Sequence, residues 1–451
     1  MITKSYLSRM GLFDARVPRY TSYPTAPHFS NDVTPQTHQG WIESVAPDSE
    51  ISLYIHVPFC RRLCWFCACR TQGTKSDAPV AAYLEVLKTE LALLAKHLPE
   101  GVTLSRLHWG GGTPTLLKPE MMRDLAATIA EVAPMAEQGE FSVEIDPNEI
   151  DAARLDVLAE AGMNRASIGV QDFDPEIQET IGRRQSFEVT RDAIDMIRAR
   201  GIESLNADIL FGLPHQSRKR MTESVQKLLA LSPDRVALYG YAHVPWMARR
   251  QSLIPTDALP GPEDRLALFD TARKLFLWDG YEEIGIDHFA RPDDGLAKAQ
   301  RAGTLRRNFQ GYTDDTSEVL IGVGASAISK FPQGYTQNAP ATSKHTSAIR
   351  DGQFSSSRGH PFRGEDKLRA RLIEAVMCDF RIDAAEISAG FGIESKRLRA
   401  MFDETNRAFD NLLNVSDVGL FIPEDMRPLA RLIARKFDTY AMNEAGHSSA
   451  I

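Results

Sequence analysis

The sequence predicts an α/β fold built on a parallel sheet with crossover helices. Three observations predict it. Six short β-rich runs alternate with helical stretches between residues 51 and 242. Glycines and polar residues collect just beyond the end of each run. Composition is that of an ordinary soluble globular chain, 43% hydrophobic and 25% charged, which excludes a disordered or coiled-coil protein.

The elements follow in order. ISLYIHVPF (51–59) is apolar, β-rich and stopped by Pro58, a buried strand. VAAYLEVLKTELALLAKHL (80–98) spaces its apolar residues as a helix does. LSRLHWG (104–110) is the second strand, ending in Gly110, Gly111 and Gly112, and Pro119 then suits the first turn of a helix. FSVEIDP (141–147) is the third strand, with a helix near 151–161. RASIGVQ (165–171) is the fourth, with helical signals from Pro175 to Arg200. SLNADILFG (204–212) is the fifth, with a helix near 218–231, and RVALYGYA (235–242) is the sixth.

Periodicity alone leaves two closures open: a doubly wound sheet, or a full or partial barrel. Both gather function at the C-terminal strand ends. There lie the cysteine loop, Gly110–Gly112, Glu144, Gln171, Asp208 and Tyr241. Past residue 245 the alternation loosens; 281–290 and 318–329 are expected to add strands or loops over the open side. Residues 1–48 read as a covering segment, 49–340 as the sheet domain with its extension, 341–362 as a linker rich in Ser, His and Gly, and 363–451 as a mostly helical C-terminal domain. Helices are expected there over 365–379, 383–389, 394–413 and 424–440, with LFIP as a short strand.

The chain has 451 residues, 52 basic and 60 acidic, for a net charge of −8. At roughly 100–200 residues per domain, two to three domains are expected. No run approaches the roughly 18 apolar residues that cross a bilayer. The start, MITKSYLSRMGLFDARVPRY, lacks a secretory signal. An acidic balance argues against a nucleic-acid partner. The expectation is a cytoplasmic protein with neither membrane nor nucleic acid as partner, a monomer by default.

Of five cysteines, four fall within ten residues: Cys60, Cys64, Cys67 and Cys69. A disulfide framework would spread its cysteines along the chain; thiols packed into one loop of a cytoplasmic chain bind metal. Spacings of three and two intervening residues let one loop present three thiolates to one face of an iron–sulfur cluster, leaving one iron open. The alternative is a structural zinc on all four, although such sites draw pairs from separated segments. Cys378, alone in an apolar run, reads as a buried small hydrophobe.

C-x3-C-x2-C after a first strand is the signature of the radical S-adenosylmethionine enzymes. The fuller string YIHVPFCRRLCWFCAC resembles the oxygen-independent coproporphyrinogen III oxidases (dehydrogenases), whose fourth cysteine is matched by Cys69. RYTSYPTAPHF, HWGGGTPT, VEIDPNEI, GVQDF, ILFGLPHQ, YGYAHVPW, HFARPDD and RNFQGYT agree, in order, from about residue 16 to 440.

The resemblance implies a partial (β/α)6 radical SAM barrel. It implies a [4Fe–4S] cluster on Cys60, Cys64 and Cys67, with Cys69 near but not ligating. Two S-adenosylmethionine molecules are implied per chain. Tyr54, Gly111, Glu144 and Ile328 match contacts to the first; Phe66, Gly112, Thr113, Gln171, Arg183, Asp208 and Ala242 match contacts to the second. The physical chemistry agrees. Glycines let backbone approach a ligand. Glu144 and Asp208 end apolar strands and need a partner, a ligand group or an internal salt bridge. Gln171 brings an amide, and Arg183 can grip a carboxylate. Cys69, Tyr54 and His56 are the candidate catalytic residues, His56 beside the cluster. Tyr54 and Phe66 also suit a core.

The implied reaction turns two propionates of coproporphyrinogen III into vinyl groups. A 5′-deoxyadenosyl radical removes the β-hydrogen, CO2 and one electron leave, and a flavodoxin or ferredoxin supplies the reducing electron. Substrate carboxylates require local positive charge, expected at Arg19, Arg291 and Arg307; Tyr20 and Tyr23 are expected to cover the pocket. A heme-binding or heme-delivering relative and a radical SAM tetrapyrrole methyltransferase are the alternatives.

Overall fold

The architecture is taken from a computed structural model that describes residues 3–441 and 450–451. All six expected strands form: Glu50–Val57, Thr103–Gly111, Met135–Ile145, Arg165–Gln171, Ser204–Phe211 and Arg235–Gly240. Each pairs in parallel with the next in chain order. A doubly wound sheet reverses its order midway and carries helices on both faces. Here the order never reverses.

Alternation along each strand explains the rest. Ile51, Leu53, Ile55 and Val57 are buried on one face of the first strand, while Ser52, Tyr54 and His56 take the other. Trp109, Val143, Ile168, Ala207 and Val236 continue the apolar face. Helices Ala78–His97, Pro119–Val132, Ala152–Glu160, Phe187–Arg198, Arg218–Ala230 and Pro262–Trp278 share one core with it. Side-chain oxygens of Asp151, Ser186 and Ser217 cap three of these helices by accepting from backbone N–H groups. These six helices thus lie on one face, and the sheet is a partial (β/α)6 barrel.

It stays open. Beyond the first strand the sheet continues through Leu320–Val323, Ile328–Phe331, Gly334–Asn338 and Ser356–Pro361; beyond the sixth it ends in His288–Ala290 and Glu282–Ile284. Among the described residues no pairing joins these two edges. The strands expected at 281–290 and 318–329 therefore extend opposite edges of the sheet.

A closed barrel of this kind fills its interior with branched apolar side chains. This one has a polar concave face. Deep inside, Arg106 pairs with Asp314 at 3.0 Å, Arg165 with Glu140 at 2.7 Å and Arg235 with Asp294 at 2.6 Å. One layer above, toward the C-terminal strand ends, stand Tyr54, His108, Glu144, Ser167, Asp208 and Tyr239, the last beside His288.

Three expectations need correction. Residues 341–362 are not a linker: they form helix Thr342–Arg350 and edge strand Ser356–Pro361. Their Ser and His residues look loop-like, but they pair inside the fold, as His345 Nδ1 does with Ser355 Oγ at 2.7 Å. The segment 424–440 is not one helix: it is a 3-10 stretch, Glu424–Leu429, containing Pro428, and then a short helix, Ala430–Ala434. Proline cannot donate to a helical ladder, which shortens the element. Helical signals from 175 to 200 resolve into Pro175–Thr180 and Phe187–Arg198, divided at Gly182, whose φ is +68°.

The C-terminal part carries helices Asp366–Asp379, Ala384–Phe391 and Ser395–Ala408 beside a three-stranded antiparallel sheet that uses Gly419–Phe421. Leu7, Leu12, Val17, Tyr20 and Tyr23 join its core, so the N-terminal segment packs on this domain. Arg19 then reaches across to the sixth strand, donating from Nη2 to the Gly240 carbonyl at 2.7 Å.

Candidate functional site

The cysteine loop leaves the C-terminal end of the first strand and is closed by its own short parallel pairing of Phe59–Cys60 with Gln72–Gly73. Neighbouring elements hold it. Trp65 N–H donates to Ile181 O at 2.9 Å, and the Trp65 ring fills the space above Gly182. Gln251 Nε2 donates to Phe66 O at 2.7 Å, and Arg250 Nη2 to Cys69 O at 3.3 Å. Arg183 Nη1 lies 3.5 Å from Cys64 Sγ and 3.3 Å from Asp146.

These contacts set the thiol electrostatics. Burial pushes Cys60 up to about 11. Cys67 is brought down to about 6, first by the Cys69 thiol, against burial, then by the Cys69 N–H and the Arg250 and Arg183 charges. Cys60, Cys64 and Cys67 on one loop, with two arginines beside them, fit a cluster in which each thiolate takes a different iron.

Facing the loop is the second strand's glycine end. A Cβ at Gly110 would sit 2.7 Å from Glu144 Oε1; at Gly111, where φ is +112°, 2.5 Å from the His56 ring; at Gly112, 2.6 Å from Phe59 O. Only glycine leaves this space open. Gly111 N–H donates to Glu144 Oε2 at 3.1 Å, and His108 Nε2 is 3.3 Å from Glu144 Oε1. Burial alone would raise the Glu144 carboxyl. His108, the Gly111 N–H and His56 outweigh it and hold the group below its ordinary value. The Tyr54 ring stacks on His108 at 5.7 Å, and Tyr54 Oη is 3.0 Å from His56 Nδ1. Burial holds His56 below its usual value, so the ring is neutral at pH 7.

The other expected residues divide. Thr113 is buried with its hydroxyl on the Cys60 thiol. Gln171 takes a left-handed φ of +68° at the end of its strand. Asp208, pushed up to about 6 by burial, accepts from Asn206 at 2.9 Å. Phe66 and Ala242 are tied together, because buried Gln251 donates to both carbonyls, at 2.7 and 3.1 Å. Ile328 stands two strands from Tyr54: its carbonyl faces Gly322, the register partner of Tyr54. Gln251 was missed by sequence reasoning. Its only signal was position, five residues past the end of YGYAHVPW.

A second cavity opens beside the sixth strand. Among the described residues Arg19, Arg265 and Arg307 line it with Asp287, Arg427, Arg431 and Ile451. Arg307 is 3.7 Å from Asp287 and stacks on Tyr312; among the described residues Arg265 donates to Gly212 O alone, at 3.4 Å, and stacks on Phe211. Burial, then the Arg19 charge, push Arg265 down to about 10. Arg431 serves another purpose, donating to the carbonyls of Val17, Pro18 and Ala450. Arg291 is a correction: it chelates Asp279 at 2.7 and 2.9 Å and stacks on Tyr281, away from this cavity.

Comparison with known proteins places these features. The profile of the Radical SAM superfamily matches residues 54–228. An oxygen-independent coproporphyrinogen III oxidase from Paracoccus denitrificans is 64% identical over 451 residues, covering 100% of both chains. One from Cereibacter sphaeroides is 60% identical over 440 residues, covering 98% of each. The solved structure of a coproporphyrinogen III oxidase from Escherichia coli, a radical SAM enzyme, superposes with a TM-score of 0.89 at 35% identity, over 95% of this chain and 100% of that one.

Proposed function

This chain belongs to the oxygen-independent coproporphyrinogen III oxidases of the radical SAM superfamily, and from that premise we propose how its residues divide the work. The enzyme converts two propionate side chains of coproporphyrinogen III into vinyl groups, giving protoporphyrinogen IX. Each propionate loses a β-hydrogen, CO2 and one electron. A [4Fe–4S] cluster and S-adenosylmethionine, once the cluster is reduced, supply the hydrogen-abstracting radical that side chains cannot.

Cys60, Cys64 and Cys67 hold the cluster; Cys69 stands beside it without ligating. Tyr54, Gly111, Glu144 and Ile328 take one S-adenosylmethionine. The ionised Glu144 carboxylate suits its ammonium, and the glycine end admits it without a clash. Phe66, Gly112, Thr113, Gln171, Arg183, Asp208 and Ala242 take a second. Tyr54 and the neutral His56 form a hydrogen-bonded pair that fixes the wall of the site and holds a proton between Oη and Nδ1.

Arg19, Arg265 and Arg307 anchor propionates that are not reacting. Arginine side chains outnumber Asp and Glu side chains around this partly desolvated cavity, and an anionic ligand offsets the cost of holding them there. Tyr20 and Tyr23, packed on the C-terminal core, bring Arg19 over the cavity, which gives the N-terminal segment its covering role. A flavodoxin or ferredoxin is the electron donor, and the enzyme works in the cytoplasm as a monomer.

The observation that carries the reading is the thiol loop facing Gly110–Gly112 and Glu144 across one strand end. The test is anaerobic turnover of coproporphyrinogen III with S-adenosylmethionine and a reductant, with products weighed by mass spectrometry. Divinyl product is expected. S-adenosylhomocysteine would indicate methyl transfer instead, and binding without turnover a heme-delivery protein.

A further inference from the structure

The loop that leaves the sixth strand carries three of the chain's few exposed large apolar side chains within eight residues: Trp246 at 56%, Met247 at 66% and Leu253 at 56% exposed. It is not a detached loop. Gln251 and Arg250 fasten it to the backbone at Phe66 and Cys69, and Met247 lines one cavity with Cys67 and Cys69. Between this loop and the cysteine loop lies a wide cavity lined by Cys67, Cys69, Arg70, Met247, Arg249 and Arg250. Among the described residues no carboxylate lines it, in a chain whose net charge is −8. Arg16 stacks over Trp246 at 5.3 Å and extends the basic rim.

Exposed Trp and Met ringed by Arg is the composition of a protein-binding surface, and it is unusual on a bare monomer. A small tetracarboxylate would need the arginines but gains nothing from a protruding indole and thioether. Local positive charge on an acidic protein steers an acidic partner to this face.

We propose that Trp246, Met247 and Arg249, with Arg70 and Arg16 at the rim, form the docking surface for an acidic one-electron carrier protein. The inference rests on the cluster assignment above. One electron leaves the docked carrier, which is oxidised, and enters the cluster, which is reduced by one. Met247, Arg249 and Arg250 line the same cavity as Cys67 and Cys69, so a carrier docked there comes close to the cluster ligands.

The test uses the anaerobically purified enzyme, its Trp246→Ala and Arg249→Glu variants, and an acidic flavodoxin as probe. Flavodoxin binding, measured by calorimetry at low and high salt, is expected to weaken at least tenfold in each variant and to weaken with salt in the wild type. Turnover driven by reduced flavodoxin falls with it. Turnover driven by dithionite, and coproporphyrin binding, stay unchanged. Unaltered flavodoxin binding in both variants overturns the proposal. So does an equal loss of dithionite-driven turnover, which marks the residues as structural. Loss of coproporphyrin binding instead makes this face the substrate entrance. A wild type that holds no iron by iron and acid-labile sulfide analysis defeats the cluster assignment, whereas the calorimetry tests the docking surface by itself.

Discussion

Gln251 donates its amide N–H to the Phe66 carbonyl at 2.7 Å, joining residues 185 positions apart. The same nitrogen reaches Ala242 O at 3.1 Å, and its oxygen accepts from Val244 N–H at 2.6 Å. One buried amide therefore fixes the cysteine loop to the loop after the sixth strand. Gln251→Leu would leave two carbonyls and one N–H without partners, each worth about 1–3 kcal/mol. The expected result is a clear drop in melting temperature and poor retention of iron after reconstitution. A variant as stable and iron-replete as the wild type would show that the amide merely fills space.

Cys69 separates the two readings of the thiol loop. With a cluster on the first three cysteines, Cys69→Ser keeps about four irons per chain while turnover falls. Cys60→Ser, Cys64→Ser and Cys67→Ser each lose the cluster. Iron and acid-labile sulfide analysis decides between them. Equal iron loss in all four variants would make Cys69 a ligand.

The glycine end and Glu144 make a matched pair. Gly111→Ala places a Cβ 2.5 Å from the His56 ring at a φ of +112°, a strain of about 1–3 kcal/mol. Glu144→Gln removes the anion without changing shape. A charge-assisted hydrogen bond is worth about 1.5–3 kcal/mol, so S-adenosylmethionine binding is expected to weaken by roughly tenfold to a hundredfold. Equilibrium dialysis checks it. Undiminished affinity in Glu144→Gln would remove the carboxylate from the site.

The arginine cavity makes a contrast between residues of one type. Arg265→Ala and Arg307→Ala are expected to raise the dissociation constant for coproporphyrin by roughly tenfold or more, the loss of one charge-assisted contact. Arg291→Ala removes the Asp279 clamp and lowers the melting temperature, but leaves porphyrin binding alone. Fluorescence titration of the porphyrin measures both. If Arg291→Ala weakens binding as much as Arg265→Ala, the cavity is not the anchor.

Stability should carry a pH signature from Glu90. This buried carboxyl accepts from Gly324 N–H and Asn338 Nδ2, both at 2.8 Å, and burial pushes it up to about 8. A group whose folded value lies above its unfolded value of about 4.5 binds an extra proton in the native state. Its contribution is complete below about pH 4.5 and is lost as pH rises through 8. His345, 3.4 Å away and held at about 4 by burial, is neutral across that window. Melting temperatures from pH 5 to 9 should therefore fall more steeply with pH in the wild type than in Glu90→Gln. Parallel curves would show that Glu90 does not titrate there.

How far the sequence could be read follows from where each signal resides. The cysteine spacing, the glycine end of the second strand and Pro119 are local, set by residues a few positions apart, and all stand where expected. Periodicity found the six strands. The closure needed the structure: Ser52, Tyr54 and His56 line the concave side while Leu53, Ile55 and Val57 meet the helices. The segment 341–362 was misread because polar residues that pair inside an edge strand and its covering helix look like loop residues when their partners are unseen.

By itself the sequence determined the chemistry: three thiols on one loop, and carboxylates and glycines at the ends of β-rich runs, are fixed by covalent neighbours. Only the tertiary structure decided that the sheet stays open and that Gln251 fastens the cysteine loop. It also decided that Arg265 joins Arg19 and Arg307 while Arg291 does not. These depend on which distant segments meet. An arginine's role depends on which groups meet it on folding: Asp279 clamps Arg291, whereas among the described residues no carboxylate forms an ion pair with Arg265.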